Sequence, residues 1–183
     1  MEMLVWSSVF VPLPMLCVSL LGDGPAAILR SLTQIDSAAV FSVLYLVIPC
    51  YNEQEVLSDT AEKLAHKLTQ LIDAGKISER SRIAFVNDGS SDCTWEIIRA
   101  YTERSALFSG INLAHNEGHQ NALLAGLMTV LPYADVTISM DADLQDDINA
   151  VDAMLEKYAA GVNIVYGVRA NRSSDTFFKR FTA

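Results

Sequence analysis

Leu44-Tyr45-Leu46-Val47-Ile48-Pro49-Cys50-Tyr51-Asn52-Glu53 sets the reading of the whole chain. Five continuously apolar residues, Leu44–Ile48, run into a polar cluster with no amphipathic alternation between them. A strand covered on one face alternates, whereas a strand covered on both faces is apolar throughout. The same sentence is written three more times. Ile83–Val86 leads into Asn87-Asp88-Gly89-Ser90-Ser91-Asp92, and Ile111–Leu113 into His115-Asn116-Glu117-Gly118-His119-Gln120. Val136–Met140 leads into Asp141-Ala142-Asp143-Leu144-Gln145-Asp146. A fifth short run, Ile164–Tyr166, is read as another strand.

Amphipathic stretches lie between these runs and predict helices over Val56–Ala74, Thr94–Ser105, Gln120–Leu131 and Ile148–Ala160. Gly75 and Gly161 stand where a helix end favours a left-handed residue, and Asp92 where a helix start wants a side-chain acceptor. Alternating strands and helices imply an α/β domain, a mainly parallel sheet sandwiched by helices. Ligands of such sheets bind at the carboxyl ends of the strands, so the four polar clusters should face one crevice.

The outer regions differ from this pattern. Residues 1–43 have neither period. Met3–Leu21 is uncharged and mostly apolar, as in a membrane span, yet Pro12 and Pro14 would break a helix there. Glu2 stands where a secretory signal carries basic residues. An anchor, a disordered leader and a misassigned start remain open for this segment. At the other end, Arg169, Arg172, Lys179 and Arg180 crowd together with Asp175 as the one acid. This reverses the sign of a chain whose net charge is −9, and reads as an anion site or a membrane-facing patch. The overall charge argues against nucleic acid, whose phosphates need a basic face. Cys17, Cys50 and Cys93 are odd in number and scattered, without a CxxC, and so suggest neither a zinc site nor a disulfide framework. Cys50 and Cys93 are read as small buried apolar groups, and Met128, Met140, Trp95, Phe85 and Tyr166 as core.

Asp141 and Asp143 form the chemical centre. Two carboxylates turned toward one point repel unless a divalent cation is shared between them. Mg2+ and Mn2+ take few protein oxygens and complete their shells with phosphate oxygens, which a nucleoside diphosphate offers. The competing reading is a helix-capping cluster with Asp146 and Asp147. Asp88 could accept from a base N–H while Gly89 lets a ligand approach the backbone, or the two could form an ordinary turn. Tyr51 offers a ring face to a base or sugar and Glu53 an acceptor for ribose hydroxyls; packing on the loop and capping of the next helix are the alternatives. His115 and His119 are four apart, but Asn116 and Gly118 imply a turn between them. His119 at a helix start suits an anion. His66 reads as a surface residue.

The five stretches Leu46–Glu53, Val86–Asp92, Asn116–Gln120, Met140–Asp146 and Tyr166–Arg169 together resemble the family 2 glycosyltransferases of GT-A fold. The resemblance is to the branch of dolichyl-phosphate mannose synthases and bacterial GtrB-type polyprenyl-phosphate glycosyltransferases, and it covers residues 44–183. It implies that Pro49, Tyr51, Glu53, Asp88, Gly89, Asn116 and His119 contact a UDP- or GDP-linked sugar. It implies that Asp141 and Asp143 hold Mg2+ or Mn2+, with Gln145 as a weaker ligand, and that Arg169, Arg172 and Lys179 meet the phosphate of acceptor or donor. The implied reaction is inverting transfer to a polyprenyl phosphate at the cytoplasmic face of the cell membrane, with a homo-oligomer left open.

Three departures accompany the resemblance. Asp147 and Ile148 replace two usual prolines, His115 replaces a usual Arg or Lys, and the chain stops at Ala183 without the acceptor half that normally follows. The chain thus reads as the first part of a longer enzyme. Two other readings are a donor-binding module without catalysis and a family 2 transferase with another glycan acceptor. A haloacid-dehalogenase-type phosphotransferase also puts a DxD after a strand, but needs a small hydroxyl residue where Leu144 and Gln145 stand.

Overall fold

A computed structural model describes residues 41–144 and 147–167. The elements run β1 (Leu44–Cys50), α1 (Leu57–Asp73), β2 (Arg82–Asn87), α2 (Thr94–Arg104), β3 (Phe108–Asn112), α3 (His119–Val130), β4 (Val136–Ser139) and α4 (Ala150–Ala159). The four strands form one sheet in the order β3-β2-β1-β4, and every pair is parallel. Ile48 lies opposite Phe85, Phe85 opposite Gly110, and Val47 opposite Ser139.

Alternate residues of each strand go to opposite faces, and both faces are buried. Leu44, Leu46, Ile48 and Cys50 of β1 join Ile83 and Phe85 of β2 and Ile138 of β4 under α1, α2 and α4. Helix α1 brings Leu57, Ala61, Leu64 and Leu68 to this core, a spacing of three and four residues that makes one apolar stripe. Complete burial of side chains such as Phe85, Leu64 and Ile98 is worth about 1.5–3 kcal/mol each. On the other face Val47, Ala84 and Val86 meet α3 through Ala122 and Val130. Here the helix rests almost on the sheet. A methyl group on Gly126 would come within 2.6 Å of Val86 and 2.7 Å of Val47, so the contact requires glycine.

Strand order places the site. From β1 the chain steps to β2 and β3 on one side, then returns to place β4 on the other side of β1. The loops after β1 and β4 diverge at that reversal and leave a crevice between them.

Several expectations need correction. Ile164–Tyr166 does not form a strand; Ile164 and Tyr166 are 52% and 55% exposed, and Val165 packs against the core. A short apolar run signals burial, but a strand also needs a neighbouring edge to bond to, and this run pairs with none of the four described strands. Tyr166 and, on α3, Met128 are exposed rather than core, and Cys93 lies exposed at the start of α2. Asp92 acts one residue earlier than a standard N-cap: Cys93 occupies that position, while Asp92 Oδ1 accepts from Thr94 N at 3.0 Å. Gly75 and Gly161 have φ of 63° and 85°, as the helix ends require. Residues 1–40, Gln145 and the basic segment with Arg169, Arg172 and Lys179 lie outside the described residues. No helix among the described residues is long and apolar enough to cross a membrane.

Candidate active site

The four polar clusters emerge at one end of the sheet. A cavity of about 300 Å3 opens there, lined by Pro49, Glu53, His119, Asp141, Ala142 and Asp143. It occupies the crevice between the β1 and β4 loops, with the first residue of α3 on its wall.

Backbone-to-side-chain hydrogen bonds join the first two loops. Asn52, at φ 55°, donates its amide to Ser90 Oγ at 3.0 Å, and its own Oδ1 accepts from Ser91 N at 2.9 Å. Glu53 N donates to Thr94 Oγ1 at 2.8 Å, Gln54 N to Asp92 Oδ2 at 3.2 Å, and Cys93 N to Gln54 Oε1 at 3.1 Å. Tyr51, between Pro49 and Glu53 in sequence, is half exposed. These bonds draw Glu53 into the cavity, because its carbonyl accepts from Val56 N and Leu57 N at the start of α1.

The second loop holds the third. Asp88 is buried, and its two carboxylate oxygens accept from Glu117 N at 2.7 Å and Gly118 N at 3.0 Å. The group expected to meet a base N–H thus grips the loop that precedes α3. Gly89, at φ +61°, is approached not by open ligand space but by protein: a methyl there would lie 2.4 Å from the His115 carbonyl carbon and 2.5 Å from Asn116 N. Asn116 is exposed and accepts from Gly118 N through Oδ1 at 3.1 Å. His115 and His119 do not share a helix face. The first lies in the loop paired with Glu117, and the second opens α3.

The turn after β4 is built differently. Ala142 is buried in the core, which turns its two neighbours toward the cavity. Leu144 carries a φ of 46°, a left-handed conformation that costs a leucine about 1–3 kcal/mol. Its amide reaches Asp141 O at 3.4 Å. A longer-range bond reaches the turn: Thr60 of α1 donates its hydroxyl to Ala142 O at 2.5 Å.

Glu53, Asp141 and Asp143 bring three carboxylates to the cavity. Burial raises the Glu53 carboxyl above the usual carboxylate range, and the charges of Asp143, Asp92 and Asp141 raise it further. His119 Nε2 stands 3.8 Å from Asp141 Oδ1. Burial likewise pushes the Cys50 thiol up, with Glu53 adding to it, so this cysteine is inert packing. Among the described residues no three His, Cys, Asp or Glu side chains converge to hold a metal by themselves. The chemistry of the donors nonetheless fits a hard divalent ion, because Mg2+ and Mn2+ use one or two carboxylates and take the remaining oxygens from phosphate and water.

Sequence reasoning missed Asn52, Ser90 and Thr94, which join the loops, and Thr60. Thr60 did leave a signal: it stands three residues after Leu57 and beside Ala61, on the apolar stripe of α1, where a hydroxyl needs a partner.

The profile of glycosyl transferase family 2 matches residues 45–182. The chain belongs to that family. The uncharacterized glycosyltransferase YkoT of Bacillus subtilis (strain 168) is 49% identical over 141 residues, which are 77% of this chain and 42% of that protein. The bactoprenol glucosyl transferase of Shigella phage SfX is 36% identical over 138 residues, 75% of this chain and 42% of the relative. The chain therefore spans about two fifths of the length of these relatives. Among solved structures, S. aureus TarS 1-349 in complex with UDP aligns with a TM-score of 0.48 at 16% identity, over 64% of this chain and 33% of that one. In this family 2 domain the parallel α/β sheet expected from the sequence is the one observed.

Proposed function

We propose that this family 2 domain binds a UDP- or GDP-linked sugar and, within the whole enzyme, passes the sugar with inversion to a polyprenyl phosphate at the cytoplasmic face of a membrane. One observation carries the donor half: Glu53, Asp141 and Asp143 line a single cavity at the strand ends, with the N-terminus of α3 on its wall. The acceptor half draws support from relatives named bactoprenol glucosyl transferase.

Each residue then has a task. Tyr51 offers its half-exposed ring to the base at the rim. Glu53 accepts from ribose hydroxyls, and Pro49 shapes the cavity floor. Asp88 and Gly89 act by fixing the third loop, and through it Asn116 and His119. His119, at a helix start, donates to the diphosphate, where the helix dipole also favours negative charge. Asp141 and Asp143 hold Mg2+ or Mn2+, with Gln145 as a further donor. Bound there, the ion offsets the charge that develops on the departing nucleoside diphosphate. Arg169, Arg172 and Lys179 orient the acceptor phosphate, which must approach an anionic donor. A phosphate monoester is already anionic, so little work falls to a general base.

Calorimetry tests the donor half. UDP or GDP should bind the 183-residue chain with Mn2+ or Mg2+ and at least about tenfold more weakly in EDTA, as expected if a cation that Asp141 and Asp143 would hold offsets the diphosphate charge. Equal affinity with and without metal for both nucleotides would refute the reading.

A further inference from the structure

We propose that Thr60 is a positioning residue for the carboxylate pair, acting through the Ala142 carbonyl. This rests on the donor-site reading above and deepens it.

Thr60 lies in the first turns of α1 and is 2% exposed. A helical threonine commonly turns its hydroxyl back to the carbonyl four residues earlier. Here that carbonyl, Val56 O, accepts from the Thr60 amide, and the hydroxyl reaches out of the helix to Ala142 O at 2.5 Å. The two residues are separated by 82 positions in sequence. Ala142 stands between Asp141 and Asp143. Its carbonyl belongs to the peptide plane that joins it to Asp143, so holding that oxygen restrains the plane from which the Asp143 side chain departs. The Ala142 methyl is held in the core at the same time, which leaves both flanking carboxylates at the cavity wall.

The turn needs such a tie because Leu144 is in the left-handed region at φ 46°. A leucine relaxes out of that conformation unless its surroundings over-determine it. The tie also sets a relation across the cavity. The start of α1 holds the Glu53 carbonyl through Val56 N and Leu57 N, and about one turn later Thr60 holds Ala142. One rigid helical turn therefore fixes the spacing between Glu53 on one wall and the aspartates on the other.

Thr60→Val keeps the shape and removes the hydroxyl, whereas Thr60→Ser keeps the hydroxyl and removes a methyl. Thr60→Val should weaken Mn2+-dependent binding of UDP or GDP by about 10- to 100-fold, the scale of a misplaced ligating group, and Thr60→Ser should stay within about threefold of wild type even if it melts lower. In the nucleotide-free protein, hydrogen exchange at the Leu144 amide should speed up in Thr60→Val and not in Thr60→Ser. Wild-type affinity and exchange in Thr60→Val, or loss of both in Thr60→Ser alone, would overturn the proposal. If wild type binds neither nucleotide with Mn2+, the donor-site reading fails, while Leu144 exchange still decides whether Thr60 holds the turn.

Discussion

The two walls of the cavity are held in opposite ways. On the β1–β3 side, three loops form a lattice of short hydrogen bonds that runs from Asn52 through Ser90 and Asp88 to Gly118. On the β4 side, the Asp141–Leu144 turn carries two carboxylates and a left-handed leucine, with Thr60 as its cross-tie. The first wall spends its polar side chains on its own backbone and so arrives preformed. The second brings its two carboxylates to the cavity wall, where their charge raises the Glu53 carboxyl. Under the donor-site proposal this division is useful, because rigidity serves recognition while the carboxylates that line the cavity serve binding.

Gly89→Ala should break the first wall with the largest effect on stability. The new methyl would meet backbone atoms of His115 and Asn116, which cannot rotate away, at a φ of +61°. A loss of about 3 kcal/mol is expected, a fall of roughly 10 °C in Tm by thermal denaturation. A melting curve like that of wild type would show that the third loop is not held as tightly as the contacts imply.

Asp143→Ala should do the reverse. It removes one of the charges that raise the Glu53 carboxyl, so the Tm should hold or rise slightly while the gain in nucleotide affinity on adding Mn2+ disappears. Calorimetry and melting measured together would show the split. A fall in stability comparable with that of Gly89→Ala would mean that the carboxylate turn is structural and would erase the contrast between the walls.

Glu53→Gln gives the smallest effect and the sharpest test of the charge argument. The folded Glu53 carboxyl is raised, so the folded protein binds a proton that the unfolded chain releases. Glu53 therefore costs stability above its folded pKa. That cost is recovered as pH falls through the folded value and is gone below the ordinary one. Glu53→Gln should stabilise the neutral-pH protein by less than about 1 kcal/mol after screening, and should flatten this part of the stability–pH curve. An unchanged curve would mean that neither burial nor the neighbouring aspartates raise the Glu53 carboxyl.

Legibility followed the range of the interactions. The four strands and four helices were readable because burial on both faces writes continuous apolar runs, and amphipathic helices write a period of three and four; their limits shifted by at most three residues. Ile164–Tyr166 failed as a strand because pairing, unlike burial, is not written in the strand itself. Met128 failed as core because the position of α3 on the sheet, set by Gly126, turns Met128 outward.

The sequence by itself determined the α/β class, the family and the convergence of four polar loops, since each follows from local pattern and from the rule that ligands meet the carboxyl ends of parallel strands. Tertiary structure alone decided what those polar residues are spent on. Asp88 and Asp143 look alike in sequence, each an aspartate just past a buried strand. In the fold, the proximity of the Glu117 and Gly118 amides makes one a clamp within the protein, while the buried Ala142 and the Thr60 hydroxyl turn the other toward the cavity. Hydrogen bonds between residues tens of positions apart leave no periodicity in the chain, so only the folded arrangement can assign them.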